Sequence, residues 1–419
     1  MFILKLALKS LLNRKFTVAL TIFSIAISIT LLLGVERIRI GLENSFTNTI
    51  SGTDLVVGAR TGDEQLLLST VFHIGMASNN ISWHSYEDIA ANELIDWTIP
   101  ISMGDSHEGF SVIGTNDDYF THYQFANKQH LQFQVGKAFH ETFEAVLGAD
   151  VAASHDYKIG DEIVINHGSG EIAFHDHADK PFHVSGILQR TGTPVDQTIH
   201  VSLEGIEAIH IDWVDGMPDK HMHFSAEEVE HLHLEPEYIT AFLVGLISRT
   251  DVLAVQRLIN QNKSEPLTAV MPGITLQGLW NMMGKIETAL LIVSGFVAIA
   301  GLIGMLVALL TGINERRREM AILRSVGASP LKIFGLISSE SIVITLSGIA
   351  LGIAFVFLLL QIVKPILETQ YGIYLNPSGI SLQEIYIIGT VIILGILIGI
   401  IPGYKIYKYS LLDGLTVKM

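Results

Sequence analysis

Two imidazoles spaced two residues apart on an extended chain point to the same side and can share one metal ion. The sequence holds three such pairs. His175 and His177 flank Asp176, with Asp179 and His183 following. His221 and His223 flank Met222, and His231 and His233 flank Leu232 behind Glu227, Glu228 and Glu230. Zn2+ accepts imidazole nitrogens and carboxylate oxygens at four positions, so two pairs, or one pair and its acids, would complete a site. Copper and nickel also accept imidazole. A pH-sensing role is the alternative, because neighbouring carboxylates raise a histidine pKa. All seventeen histidines fall between His73 and His233, and there is no cysteine, which removes thiolate ligands and disulfides. His73, His84, His122 and His155 lack the paired spacing and fit ordinary surface or core positions. No spacing of Ser, His and acid marks a nucleophile elbow or a zincin helix, so no enzyme activity is expected.

The elements that must carry these histidines divide sharply by hydropathy. Hydrophobic residues make up 49% of the 419-residue chain, and the mean hydropathy of +0.43 is that of a membrane protein. Four apolar runs are long enough to span a bilayer: 16–35, 288–313, about 342–363 and about 385–401. All four lie outside the histidine window. The first is too long for the apolar core of a signal peptide and has no cleavage pattern after it, so it is expected to stay as an anchor.

Basic residues gather at Lys5, Lys9, Arg14 and Lys15, at Arg316, Arg317, Arg318, Arg324 and Lys332, and at Lys405, Lys408 and Lys418. The positive-inside rule makes these regions cytoplasmic, with both termini inside. The segment 1–15 fits a cytoplasmic amphipathic helix, Lys5 and Lys9 sharing a face against Leu4, Leu8, Leu11 and Leu12. Region 36–287 then lies outside. It carries 36 acidic against 13 basic residues, a formal charge of −23 with neutral histidine, within a total of −16. Such a domain repels nucleic acid and attracts cations or basic partners.

Within 36–287, short apolar runs at 55–57, 110–113, 145–147, 163–165 and 183–188 predict strands. The stretches 86–91 and 251–260 predict helices. The outer region is therefore α+β, with a β-rich insertion at about 117–235. Helical stretches to about residue 46 and from 276 to 287 predict two stalk helices that prolong the first and second spans. Small residues recur every fourth position at Ala300, Gly304, Ala308 and Gly312, at Gly348 and Gly352, and at Gly395, Gly399 and Gly403, which predicts close packing of span backbones. No span has a charge near its centre, which argues against an ion relay through the bilayer.

The most specific segment is 314–334, NERRREMAILRSVGASPLKIF. Met320, Leu323 and Val326 form an apolar face beside a cationic one, Gly327 can end that helix, and Ser329 and Pro330 can start the next. This run resembles the cytoplasmic loop of FtsX-like permeases, the macrolide-exporter and lipoprotein-releasing (type VII) ABC transporter group. Arg316, Arg318, Glu319, Met320, Ala321, Ile322, Leu323, Arg324, Ser325, Val326, Gly327, Ala328 and Ser329 fit the family pattern. Pro402 to Lys405 and Leu411 to Leu415 resemble its closing pattern, although proline–valine is usual where Leu411 and Leu412 stand. The order of one span, a large outer domain and three further spans also matches.

The resemblance implies a four-helix membrane protein in the bacterial inner membrane with a two-lobed, MacB-like periplasmic domain. It implies a dimer with a second copy or a paralogue, a cytosolic ABC ATPase dimer that binds the ATP, and mechanotransmission across the membrane. Arg316, Arg318, Glu319, Met320, Leu323, Arg324, Gly327 and Ser329 become the expected ATPase-coupling surface of loop 314–334, and 402–419 a cytoplasmic tail. No phosphate-binding G-x-x-x-x-G-K-[ST] loop occurs, so the ATPase is expected on a separate subunit. The histidines suggest a periplasmic domain that handles zinc or a metal-loaded partner protein, with His175, His177, His183, His221, His223, His231 and His233 as candidate ligands. Release of a lipoprotein, peptide or amphiphile, and regulation of a cell-wall hydrolase, are the alternative functions.

Overall fold

The computed structural model describes all residues except 1–6, 8, 76–78, 169–174, 215–216, 219–223, 230–231, 233, 316–321, 323, 372–379 and 413–419. The chain forms two compact units. The first comprises Met1–Ile40, Met283–Pro365 and Asn376–Met419, and the second Gly41–Met282 with Ile366–Leu375.

The first unit holds four helices long and apolar enough to cross a membrane. They belong to the helices Lys15–Thr49, Pro272–Glu315, Pro330–Tyr371 and Leu382–Leu412. The first and second continue well past their apolar runs, so the residues expected to prolong these spans are helical. Ile25, Ile29, Leu33, Leu302, Met305, Ile344 and Val356 form the buried core between the helices. Two glycine stripes do what their spacing implies. A Cβ on Gly352 would lie 2.7 Å from Ile29 Cβ and 2.8 Å from the Ala26 carbonyl of the first span. Gly395, Gly399 and Gly403 lie against Thr345, Ser341 and Phe334 of the third helix. The stripe on the second span is mixed: Gly312 lies against the Arg14 side chain, Gly304 has nothing within 4 Å, and Gly301, outside the stripe, faces Ser24 and Ser28. Hydroxyls stitch the same interfaces, Ser28 donating to the Val297 carbonyl at 3.2 Å and Thr30 to the Gly352 carbonyl at 3.2 Å.

Three ion pairs cluster at one end of the helices. Arg37 meets Glu384 at 2.6 Å and lies over the Phe357 ring. Arg39 meets Glu36 at 2.8 Å and Glu287 at 3.2 Å. This ties the ends of the first, second and fourth spans through ions that membrane-edge burial would otherwise penalise.

The second unit is built on a mixed sheet of twelve strands among the described residues. Nine lie in the order Leu267–Val270, Leu55–Ala59, Ala241–Leu246, Ile95–His107, Phe110–Thr115, Thr198–Ser202, Glu144–Leu147, Phe182–Leu188, Phe133–Gly136. Leu55 and Val57 enter one core with Phe242, Val244 and Ile259, while Val56 enters another with Leu67, Ile99 and Leu243. Both faces are covered here, which is why these strands are continuous apolar runs without polar alternation. A third core holds Leu147, Val184, Ile199 and Val201 beneath the helix Leu203–His210. Thr198–Ser202, Glu144–Leu147, Phe182–Leu188 and Phe133–Gly136 extend the same sheet, joined to it by the parallel pairing of Thr198–Ser202 with Phe110–Thr115.

His200 sits fully buried on this sheet, between the rings of Tyr119 and Phe120. Its Nε2 has no hydrogen-bond partner among the described residues, and desolvation pushes its pKa down to about 3. His73, which shares a hydrogen bond with Thr198, is lowered to about 4 by the same cause. Both are neutral when folded and take up protons more readily when unfolded. Their contribution is complete above the ordinary value near 6.5 and is lost as pH falls toward 3–4.

Two outcomes are expected. The Gly352→Leu substitution lowers stability in detergent by about 1–3 kcal/mol through overpacking, whereas Gly304→Ala leaves it unchanged; equal melting of both variants would rule out the close approach at Gly352. Chemical denaturation across pH 7 to 4 shows falling stability of the outer domain, and His200→Phe makes that acid limb shallower. An unchanged limb in the variant would remove His200 as a cause.

A candidate metal centre in the outer domain

The histidine window does assemble a cluster, from residues only partly anticipated. His167, His177 and His210 each offer a ring nitrogen within 4.8 Å of the others. His167 lies on the short strand Asn166–His167, paired antiparallel with the end of Ile95–His107 so that it stands opposite Asp105. The His167 Nδ1 donates to the Asp105 carboxylate at 3.1 Å. The His177 backbone N–H donates to the Ile165 carbonyl at 3.0 Å, which holds the turn after the strand His175–Asp176 against the cluster. His210 ends the helix Leu203–His210, whose N-terminus is capped by Ser202 accepting from the Gly205 N–H.

The electrostatics separate the three imidazoles. The hydrogen bond to Asp105 raises the His167 pKa above its ordinary value. Burial lowers His177 to about 4, helped by the adjacent His210. His177 is 2% exposed, and its Nε2 has no hydrogen-bond partner among the described residues. His210 Nδ1 donates to the Ile206 carbonyl at 2.8 Å, which leaves Nε2 with its lone pair toward the cluster, 3.2 Å from His167 Nδ1. Trp213 packs against all three rings at centroid distances of 4.8–5.6 Å. Three imidazoles beside a buried carboxylate, walled by an indole, offer a donor set suited to a divalent cation.

A buried ion pair sets the backbone around two of these histidines. Lys180, three residues after His177, is 1% exposed. Its Nζ donates to Asp212 at 3.0 and 3.2 Å and to Asp179 at 3.0 Å. Asp212 is two residues beyond His210, so the pair ties the two ligand-bearing segments together.

Of the seven candidate ligands, the structure brings His177 into the cluster. His175 pairs by backbone with His167 on the adjacent strand. His183 is exposed on Phe182–Leu188 and joins no three-ligand group among the described residues. His221, His223, His231 and His233 lie outside the described residues. Spacing along the chain missed His167, His210 and Asp105, because sheet pairing and a helix end unite them. His107 is close in sequence to Asp105 but is committed elsewhere, to the Val164 carbonyl at 2.6 Å and the Tyr157 hydroxyl at 2.7 Å.

Most of the expected ATPase-coupling residues, Arg316, Arg318, Glu319, Met320 and Leu323, also lie outside the described residues. Arg324 accepts the Gly327 N–H through its carbonyl at 2.9 Å, and Gly327 takes φ +96°, the left-handed stop anticipated for it. The next helix starts at Pro330, and the Ser329 carbonyl accepts from the Lys332 and Ile333 N–H groups. Val326 and Ile322 are exposed.

A family model for the MacB-like periplasmic core domain matches residues 18–261, and one for the FtsX-like permease C-terminal region matches 291–411. The chain belongs to the MacB/FtsX-type ABC transporter permeases. Its four apolar helices and periplasmic core domain make it a membrane protein with a periplasmic domain. Two solved structures are similar. One is the extracellular domain of the noncanonic ABC-type transporter YknZ from Gram-positive bacteria, at 12% identity, covering 52% of this chain and 99% of that one, TM-score 0.31. The other is the periplasmic region of MacB from Actinobacillus actinomycetemcomitans, at 11% identity, covering 56% and 95%, TM-score 0.34. No curated protein matches this permease.

Removing one member of a buried pair strands the other charge, so Lys180→Met is expected to cost the permease about 3–5 kcal/mol of outer-domain stability. Urea denaturation checks this. A loss below the range typical of an exposed pair, ~1 kcal/mol, would show that the pair does not hold the two segments.

Proposed function

We propose that this chain is the permease subunit of an ATP-driven transporter whose periplasmic domain handles zinc or a metal-loaded partner protein. The observation that carries the metal reading is the group of His167, His177 and His210 in the outer domain. The strongly acidic charge of region 36–287 supports it, since it concentrates cations near the site.

The permease works as a dimer with a second copy or a paralogue, in the inner membrane, with both termini cytoplasmic. The ATP is bound by separate ABC ATPase subunits gripping loop 314–334, whose exposed Ile322 and Val326 offer an apolar contact. Closure of those ATPases moves the helices Lys15–Thr49 and Pro272–Glu315, which run unbroken from the spans into their outward extensions. Mechanical work is thus delivered to the outer domain rather than through a charged pore. The paired ions Arg37–Glu384 and Arg39–Glu287 support this reading, because they tie three helix ends into one movable body.

The test is ATP hydrolysis by the permease reconstituted in nanodiscs with its co-purifying ATPase, with and without micromolar free zinc. Stimulation several-fold by zinc, abolished by a chelator, is the expected outcome. Hydrolysis indifferent to zinc but stimulated by a lipopeptide would replace the metal reading with amphiphile release.

A further inference from the structure

We propose that Asp105, His167, His177 and His210 together form one four-coordinate site for zinc or a zinc-like divalent ion. This rests on the metal half of the reading above and assigns it four ligands, three of which lie outside the paired histidine motifs.

The spacing of the donors is the first argument. Adjacent donors of a tetrahedral zinc with bonds of ~2.0–2.1 Å stand about 3.3 Å apart. Here His167 Nδ1 and Asp105 Oδ1 are 3.1 Å apart, His210 Nε2 and His167 Nδ1 are 3.2 Å apart, and His210 Nε2 and Asp105 Oδ1 are 3.7 Å apart. Three donors already make one face of such a tetrahedron. His177 offers a ring nitrogen within 4.8 Å of those of His167 and His210, and we assign it the fourth corner.

The second argument is chemical need. Asp105 is 6% exposed, and its side-chain partners among the described residues are His167 and His210, with no lysine or arginine. That carboxylate is met by imidazoles, which can serve as metal ligands as well as hydrogen-bond donors. The His177 Nε2 is buried without a partner among the described residues, a cost that folded proteins rarely accept. One divalent ion satisfies both groups.

The third argument is the surrounding support. The Ile206 carbonyl fixes the His210 tautomer that leaves Nε2 free, as outer-shell carbonyls do for metal-bound histidines. The Lys180–Asp212 pair holds the segments of His177 and His210 together. Asp105 and His167 are held opposite one another by strand register. The His167 side chain is 39% exposed, which gives an ion a way in. A set of three nitrogens and one oxygen in this arrangement suits zinc, whereas Cu2+ prefers a planar array.

The full-length permease in detergent, without ATPase, is titrated with zinc against a chromophoric chelator, and Co2+ substitution reads the geometry. The expected result is one tight equivalent per chain and the intense visible absorption of tetrahedral cobalt. Each of His167→Gln, His177→Gln, His210→Gln and Asp105→Asn lowers affinity by more than the roughly 10–100-fold cost of losing an outer-shell partner. Circular dichroism and metal-free melting show that each variant is folded. A combined His221→Gln, His223→Gln, His231→Gln, His233→Gln variant keeps the tight equivalent and the cobalt spectrum. The proposal is overturned if wild type binds no tight equivalent, if the cobalt spectrum is octahedral, or if the tight equivalent disappears with the four distal histidines instead. Binding is read without ATP hydrolysis, so a site that binds zinc yet leaves the ATPase unstimulated removes the transport reading and keeps this one.

Discussion

The outer domain depends on one long strand that belongs to two halves of its sheet. Ile95–His107 pairs with Ala241–Leu246 along its first part and with Phe110–Thr115 along its last. Between Met103 and Asp105 the register shifts, at Gly104 with φ +157°. Such a bulge bends a strand and re-aims the side chains beyond it. The turned end can then accept Asn166–His167 as a further partner, and the Gly168 N–H bonds back to the Gly104 carbonyl. Asp105 is therefore placed by a backbone irregularity, and His167 by the hydrogen bonds that the irregularity makes possible.

Around that strand, the buried polar groups fall into two kinds. His107 and Lys180 are saturated: each finds hydrogen-bond partners on neighbouring elements, and each serves packing. His177 and Asp105 are not saturated by protein in the same way. An unpartnered imidazole nitrogen costs free energy in a low-dielectric interior, and a carboxylate met by imidazoles is a ready partner for the same cation. Their coincidence within one cluster distinguishes this place from the other buried histidines. His200 has an unpartnered nitrogen too, but it is enclosed by tyrosine and phenylalanine rings and has no acid to share.

The membrane unit solves a different problem. Lipid offers no hydrophobic reason for helices to associate, so close approach and paired polar groups must supply it. Gly348 and Gly352 admit Ile25 and Ile29, hydroxyls reach backbone carbonyls of the neighbouring helix, and the arginines are matched by buried glutamates at one end. A permease built in this way keeps its helix interfaces tight.

The sequence alone determined the membrane spans, the acidic outer domain and the permease family. These rest on local properties: unbroken apolar length, net charge, and a contiguous motif from Arg316 to Ser329. The short apolar strands were legible for the same reason, since a strand buried on both faces is an apolar run wherever it sits. The sequence also marked the histidine window, yet adjacency in the chain drew attention to His175, His183 and the pairs beyond residue 220. Which histidines meet was a matter for the tertiary structure. Asp105, His167, His177 and His210 come from a bulged strand, a short edge strand, a turn and a helix end. Their meeting depends on sheet register, where a shift of one residue turns every side chain to the other face. That register is set by long-range hydrogen bonds and packing, and no spacing of residues along the chain encodes it.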